Sequence, residues 1–218
     1  MAMINILLSD FSFDEKWAYE NLKRILKKED KVCICALTFF DDTKTIEDWN
    51  RQFKKGQGYY YRLYQDVFKR YGIHSIEWIE YFNDSYQQMK EKIERSSVLY
   101  IPGGAPDLFM KRIRECRIKK VLKNYKGIVI GVSAGAMVQL DCFHITPDDE
   151  YSDFQYMNGL GYLQDFDIEV HYTGSNHQKK YIKKVIEEKQ IPVFGIKEKG
   201  GMIIQNNQIE CFGQIEKI

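Results

Sequence analysis

Residues 127 to 138 read Gly-Ile-Val-Ile-Gly-Val-Ser-Ala-Gly-Ala-Met-Val, an apolar run that meets a Gly-x-Ser-x-Gly pattern centred on Ser133. Ile128, Val129 and Ile130 make the short, unbroken, β-branched run expected of a fully buried strand. Residues 134 to 140 can then only be the helix that follows. Reversing the chain so sharply leaves no room for side chains at Gly131 and Gly135. The turn therefore holds Ser133 at the tip of a strand, its Oγ exposed and the first N–H groups of the helix close by.

A serine hydroxyl is a weak nucleophile at neutral pH, so this turn does chemistry only with a base, an orienting acid and an oxyanion site supplied from elsewhere. The bland reading is a tight strand-to-helix turn and nothing more. The clean apolar strand in front of Ser133 favours the chemical reading, because that is the context the pattern needs.

A chain of 218 residues suits one α/β domain spanning residues 1 to 218, long enough to bury roughly 70% of its unfolded surface. Its 32 Lys and Arg against 31 Asp and Glu leave a formal charge of +1, so no global field points to nucleic acid or an anionic membrane. The first ten residues carry no basic n-region, and their apolar run is too brief for a signal peptide. No stretch approaches the ~20 apolar residues of a spanning helix. A soluble, cytoplasmic protein is the expectation. The five cysteines are odd in number and without Cys-x-x-Cys, and Cys33 and Cys35 alternate in an apolar run as reduced core residues do. Neither a metal nor an organic cofactor is implied.

Strand and helix patterns alternate along the chain. Strands are expected over 4 to 9, 32 to 40, 75 to 81 and 98 to 101, with helices over 13 to 28 and 85 to 96. Residues 43 to 71 read as two helical pieces broken near Gly56 and Gly58, with Tyr59, Tyr60, Tyr61, Tyr64 and Phe68 on a wide aromatic face. That face suits a core or partner contact better than a ligand box; folded over the crevice, it would favour apolar substrate groups. Such alternation predicts a mostly parallel sheet with helices on both faces. Residues 141 to 160 break the rhythm as an acidic loop. A strand over 168 to 172, a lysine-rich helix over 178 to 190, a strand over 193 to 196 and a terminal hairpin around Asn206-Asn207 complete the chain.

The strand at 98 to 101 runs into Pro102-Gly103-Gly104-Ala105-Pro106, a turn built to bring backbone N–H groups close to something. In a parallel sheet the carboxyl ends of neighbouring strands line one crevice, so the Gly104 N–H could face the same atom as the Ala134 N–H. A base must come from His74, His144, His171 or His177. His74 precedes a strand, His144 opens the acidic loop and His177 sits where a helix starts. His171, at the carboxyl end of a strand, lies at the edge that carries the crevice.

The segments Ile101-Pro102-Gly103-Gly104-Ala105, Gly131-Val132-Ser133-Ala134-Gly135-Ala136, Gly159-Leu160-Gly161-Tyr162 and Ile168-Glu169-Val170-His171 together resemble the peptidase E and cyanophycinase family of serine peptidases. The resemblance covers most of the chain in order and is strongest from 97 to 204. It implies the class I glutamine amidotransferase-like fold, Ser133 as nucleophile, His171 as general base, and Gly104 and Ala134 as backbone oxyanion donors. The third member of the triad is expected in the acidic loop. Counting forward from Ser133 favours Asp148, and counting back from His171 allows Asp149 or Glu150; Asp148 is the choice.

Two departures from peptidase E bear on substrate. Ala105 stands where that enzyme has asparagine, and no arginine occurs in residues 172 to 190, where peptidase E carries one associated with acidic dipeptides. Lys179, Lys180, Lys183 and Lys184 read as a solvated helix face, and a lysine does not replace a bidentate guanidinium. The expected function is a serine-type, dipeptidase-like cleavage of small peptides through an acyl-enzyme on Ser133, with a homodimer left open as the assembly. The alternatives are a non-catalytic small-molecule or peptide-binding protein on the same fold, or an esterase. A glutamine amidotransferase would need cysteine at position 133.

Overall fold

The structure is a computed structural model that describes residues 3–218. In chain order its elements are β1 (Ile4–Leu8), α1 (Lys16–Leu22), β2 (Lys31–Ile34), α2 (Ile46–Phe53), α3 (Tyr59–Arg70), β3 (Ser75–Trp78), α4 (Tyr86–Glu94), β4 (Val98–Ile101) and α5 (Pro106–Glu115). There follow α6 (Lys119–Lys123), β5 (Ile128–Val132), α7 (Ala134–Met137), β6 (Cys142–Ile145), β7 (Gln155–Asn158), β8 (Asp167–Val170), α8 (Asn176–Lys189), β9 (Val193–Gln205) and β10 (Gln208–Lys217).

The main sheet runs β10-β9-β1-β5-β4-β2-β3, with β8 beside β9. Strands β1, β5, β4, β2 and β3 are mutually parallel, while β9 runs antiparallel to β1 and parallel to β8. Period-2 alternation sends Leu7, Cys33, Leu99 and Val129 to a core shared with α4 to α7. Ile6, Ile34, Tyr100 and Ile130 go to the opposite core, under α1 to α3. Each wholly buried Leu, Ile or Phe here contributes about 1.5–3 kcal/mol relative to exposure. The expected mostly parallel α/β architecture is what the chain forms. Among the described residues no helix is long and apolar enough to cross a membrane.

Several local expectations change. The 141 to 160 segment is not all loop, because β6 and β7 pair as an antiparallel ribbon from Cys142↔Asn158 to Ile145↔Gln155. The helix after Ser133 lasts one turn. Gln139, wholly buried, ends it by donating from Nε2 to the Ile6 and Gly135 carbonyls while its Oε1 accepts from Asn5 Nδ2 at 2.9 Å. The helix expected over 13 to 28 is only α1, after which the N–H groups of Ile25 and Leu26 both return to the Leu22 carbonyl. The break between α2 and α3 falls where Gly56 takes φ +77°, and the β9–β10 hairpin turns at Asn206 and Asn207, both at positive φ as a type I′ turn requires.

Of the aromatic face of α3, Tyr64 and Phe68 are buried while Tyr59 stays exposed, and none of it lines the crevice. Tyr64 stacks on Trp78 with ring centroids 5.9 Å apart and meets Tyr100 edge-on at 5.1 Å, and Phe68 is wholly buried. Cys33 and Cys35 are buried free thiols, and burial pushes Cys33 up to about 12.

Candidate active site

The elbow at Ser133 owes its shape to two glycines. A Cβ on Gly131 would stand 2.0 Å from the Gly135 carbonyl oxygen, and one on Gly135 would stand 1.9 Å from that of Ile101. With α7 pressed this close to β4 and β5, Ser133 adopts φ 50° and ψ −114°, a conformation that costs a non-glycine residue about 1–3 kcal/mol. The surrounding packing holds it there, and the Ser133 N–H donates to the Leu8 carbonyl at 2.8 Å.

The position of His171 follows from a change of partner along β9. Its residues Val193 to Ile196 pair with β8 in parallel, and Gly201 to Gln205 pair with β1 antiparallel. The carboxyl ends of β1 and β8 therefore approach each other head to head opposite residues 197 to 200. Ser9 bridges the gap, its Oγ donating to the Ile196 carbonyl at 2.6 Å and accepting from the His171 N–H at 3.1 Å. Ser133 lies beside the same end of β1, because Val132 pairs with Leu8. His171 Nε2 then sits 2.9 Å from Ser133 Oγ.

The same junction delivers an acid. Between the pairs Gly200↔Gly213 and Ile196↔Ile215, Lys197, Glu198 and Lys199 of β9 face Gln214 alone of β10. This bulge re-aims the strand. It depends on Gly213 at φ +67°, where a Cβ would come within 2.1 Å of the Lys199 carbonyl oxygen. Glu198 Oε1 ends 2.7 Å from His171 Nδ1.

The carboxylate beside His171 is thus Glu198 and not Asp148. Asp148 is occupied in its own turn, where Oδ1 accepts from the N–H groups of Glu150 and Tyr151 at 2.8 Å each. It lines the crevice wall without holding the imidazole. Asp149 and Glu150 are exposed. A search confined to the interval between serine and histidine misses Glu198; its signal is the pairing of the strand that ends at His171 with the one that begins at Val193.

Gly103 and Gly104 form the facing wall. Gly104 takes φ +129°, and a Cβ there would lie 2.2 Å from the Thr38 carbonyl oxygen. Thr38 clamps this turn twice, donating from Oγ1 to the Gly103 carbonyl at 2.6 Å and accepting from the Ala105 N–H at 2.6 Å. Arg112 steadies Thr38 in turn, since its buried guanidinium donates to the carbonyls of Leu37 and Phe39 on either side and stacks 3.5 Å from the Phe39 ring centroid. Among the described residues, the Gly104 and Ala134 N–H groups donate to nothing in the chain.

Ser133, His171, Gly104 and Ala134 open on a cavity of about 390 Å³, whose other walls include Met137, Ile145, Tyr151, Glu169 and Gln178. Two ties shape its rim. The Tyr151 hydroxyl donates to Asp107 Oδ1 at 2.6 Å, and His177 Nε2 donates to the Pro147 carbonyl at 2.7 Å. No lysine, arginine or α3 aromatic lines it. A larger cavity of about 570 Å³ lies at the amino ends of β4 and β5, around Ser96 and Gly127, remote from these groups.

His144 occupies an unexpected place. Its side chain is wholly buried, with Nε2 2.7 Å from Glu169 Oε2 and Nδ1 3.0 Å from Asp167 Oδ2, the second contact off the line of a good hydrogen bond. Burial pulls the imidazole down, but the two carboxylates outweigh it and raise the group to about 9. Position in the sequence separates this histidine from His171 only weakly.

The model of peptidase family S51 matches residues 53–212 of the chain. Two of the solved structures that share its fold show the likeness. One, from Listeria monocytogenes EGD-e and provisionally named a peptidase E protein, is 15% identical with a TM-score of 0.69, covering 97% of this chain and 98% of that one. The other, a peptidase from an acI-B1 Actinobacterium, is 16% identical with a TM-score of 0.62, covering 100% and 94%. No curated protein matches the chain.

Proposed function

Because this chain belongs to peptidase family S51 and is a serine peptidase, we propose that it cleaves small peptides through an acyl-enzyme on Ser133, with His171 as general base and Glu198 as the orienting acid. The observation that carries this reading is the line Ser133 Oγ, His171 Nε2, His171 Nδ1, Glu198 Oε1, joined by contacts of 2.9 and 2.7 Å.

In the acylation step His171 Nε2 takes the Ser133 proton as Oγ bonds to the scissile carbonyl carbon. The negative charge gathers on the carbonyl oxygen, toward which the Gly104 and Ala134 N–H groups are free to donate. Collapse breaks the C–N bond, and the imidazolium returns its proton to the leaving amine. A water, activated by the same imidazole, then releases the acyl group. Glu198 holds the tautomer with the proton on Nδ1 and stabilises the imidazolium without taking the proton itself.

The cavity volume suits a substrate of a few residues. The test is turnover of a dipeptide panel by the wild type, Ser133→Ala and His171→Ala, together with covalent labelling of Ser133 by a fluorophosphonate. Either substitution abolishes turnover and leaves the fold intact, since members of one catalytic unit are lost together. Peptidase activity retained in purified Ser133→Ala rules the mechanism out.

A further inference from the structure

His171 stands just past the end of β8, where its backbone turns to φ 51°. A non-glycine residue enters this left-handed region only when its surroundings hold it there. The imidazole itself is a poor anchor. Its Nδ1 contact runs to Glu198, and both side chains are exposed to water, where such a contact returns less free energy than a left-handed backbone costs. The hold must come from groups that grip the main chain.

Two side chains do so, one at each end of the residue. Ser9, buried at the end of β1, accepts from the His171 N–H at 3.1 Å. Its one hydroxyl proton is committed to the Ile196 carbonyl at 2.6 Å, so toward His171 it can only accept. Gln178, in the first turn of α8, donates from Nε2 to the His171 carbonyl at 3.1 Å. Its Oε1 is fixed in turn by the Thr173 N–H and Oγ1, each at 2.9 Å. Between them the Tyr172 N–H donates to the same Ile196 carbonyl at 3.0 Å. The N–H groups of residues 171 to 173 and the carbonyl of His171 are thus all engaged by Ser9, Gln178 and Ile196.

We propose that Ser9 and Gln178 are positioning residues for the general base, clamping the His171 backbone so that Nε2 meets Ser133 Oγ. Both act through His171. The proposal rests on the peptidase reading above. Freed of the clamp, the backbone relaxes toward negative φ and carries the imidazole with it. A displacement of about 1 Å at the reacting atoms costs about 10²-fold in rate.

The rate at which a fluorophosphonate labels Ser133, read together with the fraction of protein finally labelled, separates position from folding. Ser9→Ala should label about 10- to 100-fold more slowly than the wild type and Gln178→Met about tenfold more slowly, each to completion. With leucyl-leucine as substrate, kcat should fall by similar factors while KM stays within about twofold. A merely structural role lowers the labelled fraction instead and leaves the rate of the folded molecules unchanged, and that result overturns the proposal. Labelling of either variant at the wild-type rate overturns it as well. Gln178→Met, altered only in the half-buried first turn of α8, decides alone if Ser9→Ala does not fold. Because Gln178 also lines the crevice, a rise in KM alone in Gln178→Met assigns that side chain to substrate binding and counts against the clamp. Failure of the peptidase reading registers separately, as absence of labelling at Ser133 in the wild type.

Discussion

Glu198 Oε1 lies 2.7 Å from His171 Nδ1 although 27 positions separate the residues, because the bulge in β9 lifts Glu198 out of the ladder just where β8 ends. Both side chains face solvent, at 48% exposure for His171 and 63% for Glu198. Water therefore shares the work of stabilising the imidazolium.

Glu198→Gln should lower kcat by about 10²–10³-fold, less than the ~10⁴ lost with a buried orienting aspartate. Asp148→Asn, which disturbs only a turn, should change kcat by less than about threefold. Steady-state kinetics on one peptide compares them, and a large loss at Asp148 with none at Glu198 reverses the assignment.

The oxyanion wall is set by Thr38. Removing its donor in Thr38→Val frees the Gly103 carbonyl and lets the neighbouring Gly104 N–H drift, so kcat should fall about 10- to 100-fold with KM nearly constant. Full loss of an oxyanion donor costs about 10²–10³. Circular dichroism separates this from unfolding, and an unchanged kcat would show that the clamp does not orient Gly104.

The cluster around His144 ties stability to pH. The folded-state value of about 9 lies above the ordinary 6.5, so the contribution is fully present below pH 6.5 and is lost as the pH rises through about 9. The groups facing the imidazole are Asp167 and Glu169, with Lys189 behind Asp167. In thermal melts, the Tm advantage of wild type over His144→Asn should be several degrees near pH 6 and should shrink toward pH 10. A gap that widens with pH contradicts a protonated His144.

Substrate preference follows from the charges in the cavity. With Glu169 in its wall and no arginine or lysine lining it, an aspartyl side chain meets no guanidinium or ammonium group, and a buried carboxylate left without such a partner costs several kcal/mol. Asp-Leu should be cleaved no faster than Leu-Leu or Phe-Leu. Lys179→Ala and Lys180→Ala, on the exposed face of α8, should leave kcat/KM unchanged. A hundredfold preference for Asp-Leu, equivalent to about 2.7 kcal/mol, would falsify this account of the pocket.

The parts of the site that short-range sterics dictate were legible in the chain itself. Ser133 sits in a turn that only Gly131 and Gly135 permit, Gly104 follows a buried strand, and His171 ends another; each follows from a few adjacent residues. The same local logic located the β9–β10 hairpin and the break between α2 and α3. Tertiary structure alone decided the rest. Asp148, Asp149, Glu150 and Glu198 are alike as isolated residues, and only the change of partner along β9 and its bulge select Glu198 for His171. His144 is a polar residue among apolar ones until β6 lies against β8 and places both its nitrogens by carboxylates. The tyrosines of α3 could have faced the crevice, but Tyr61 and Tyr64 pack on Trp78 and Tyr64 also on Tyr100, while Tyr59 stays exposed. Backbone conformation is set by neighbours in sequence, whereas the partner of a charged side chain is set by which strands lie together, a property of the whole sheet.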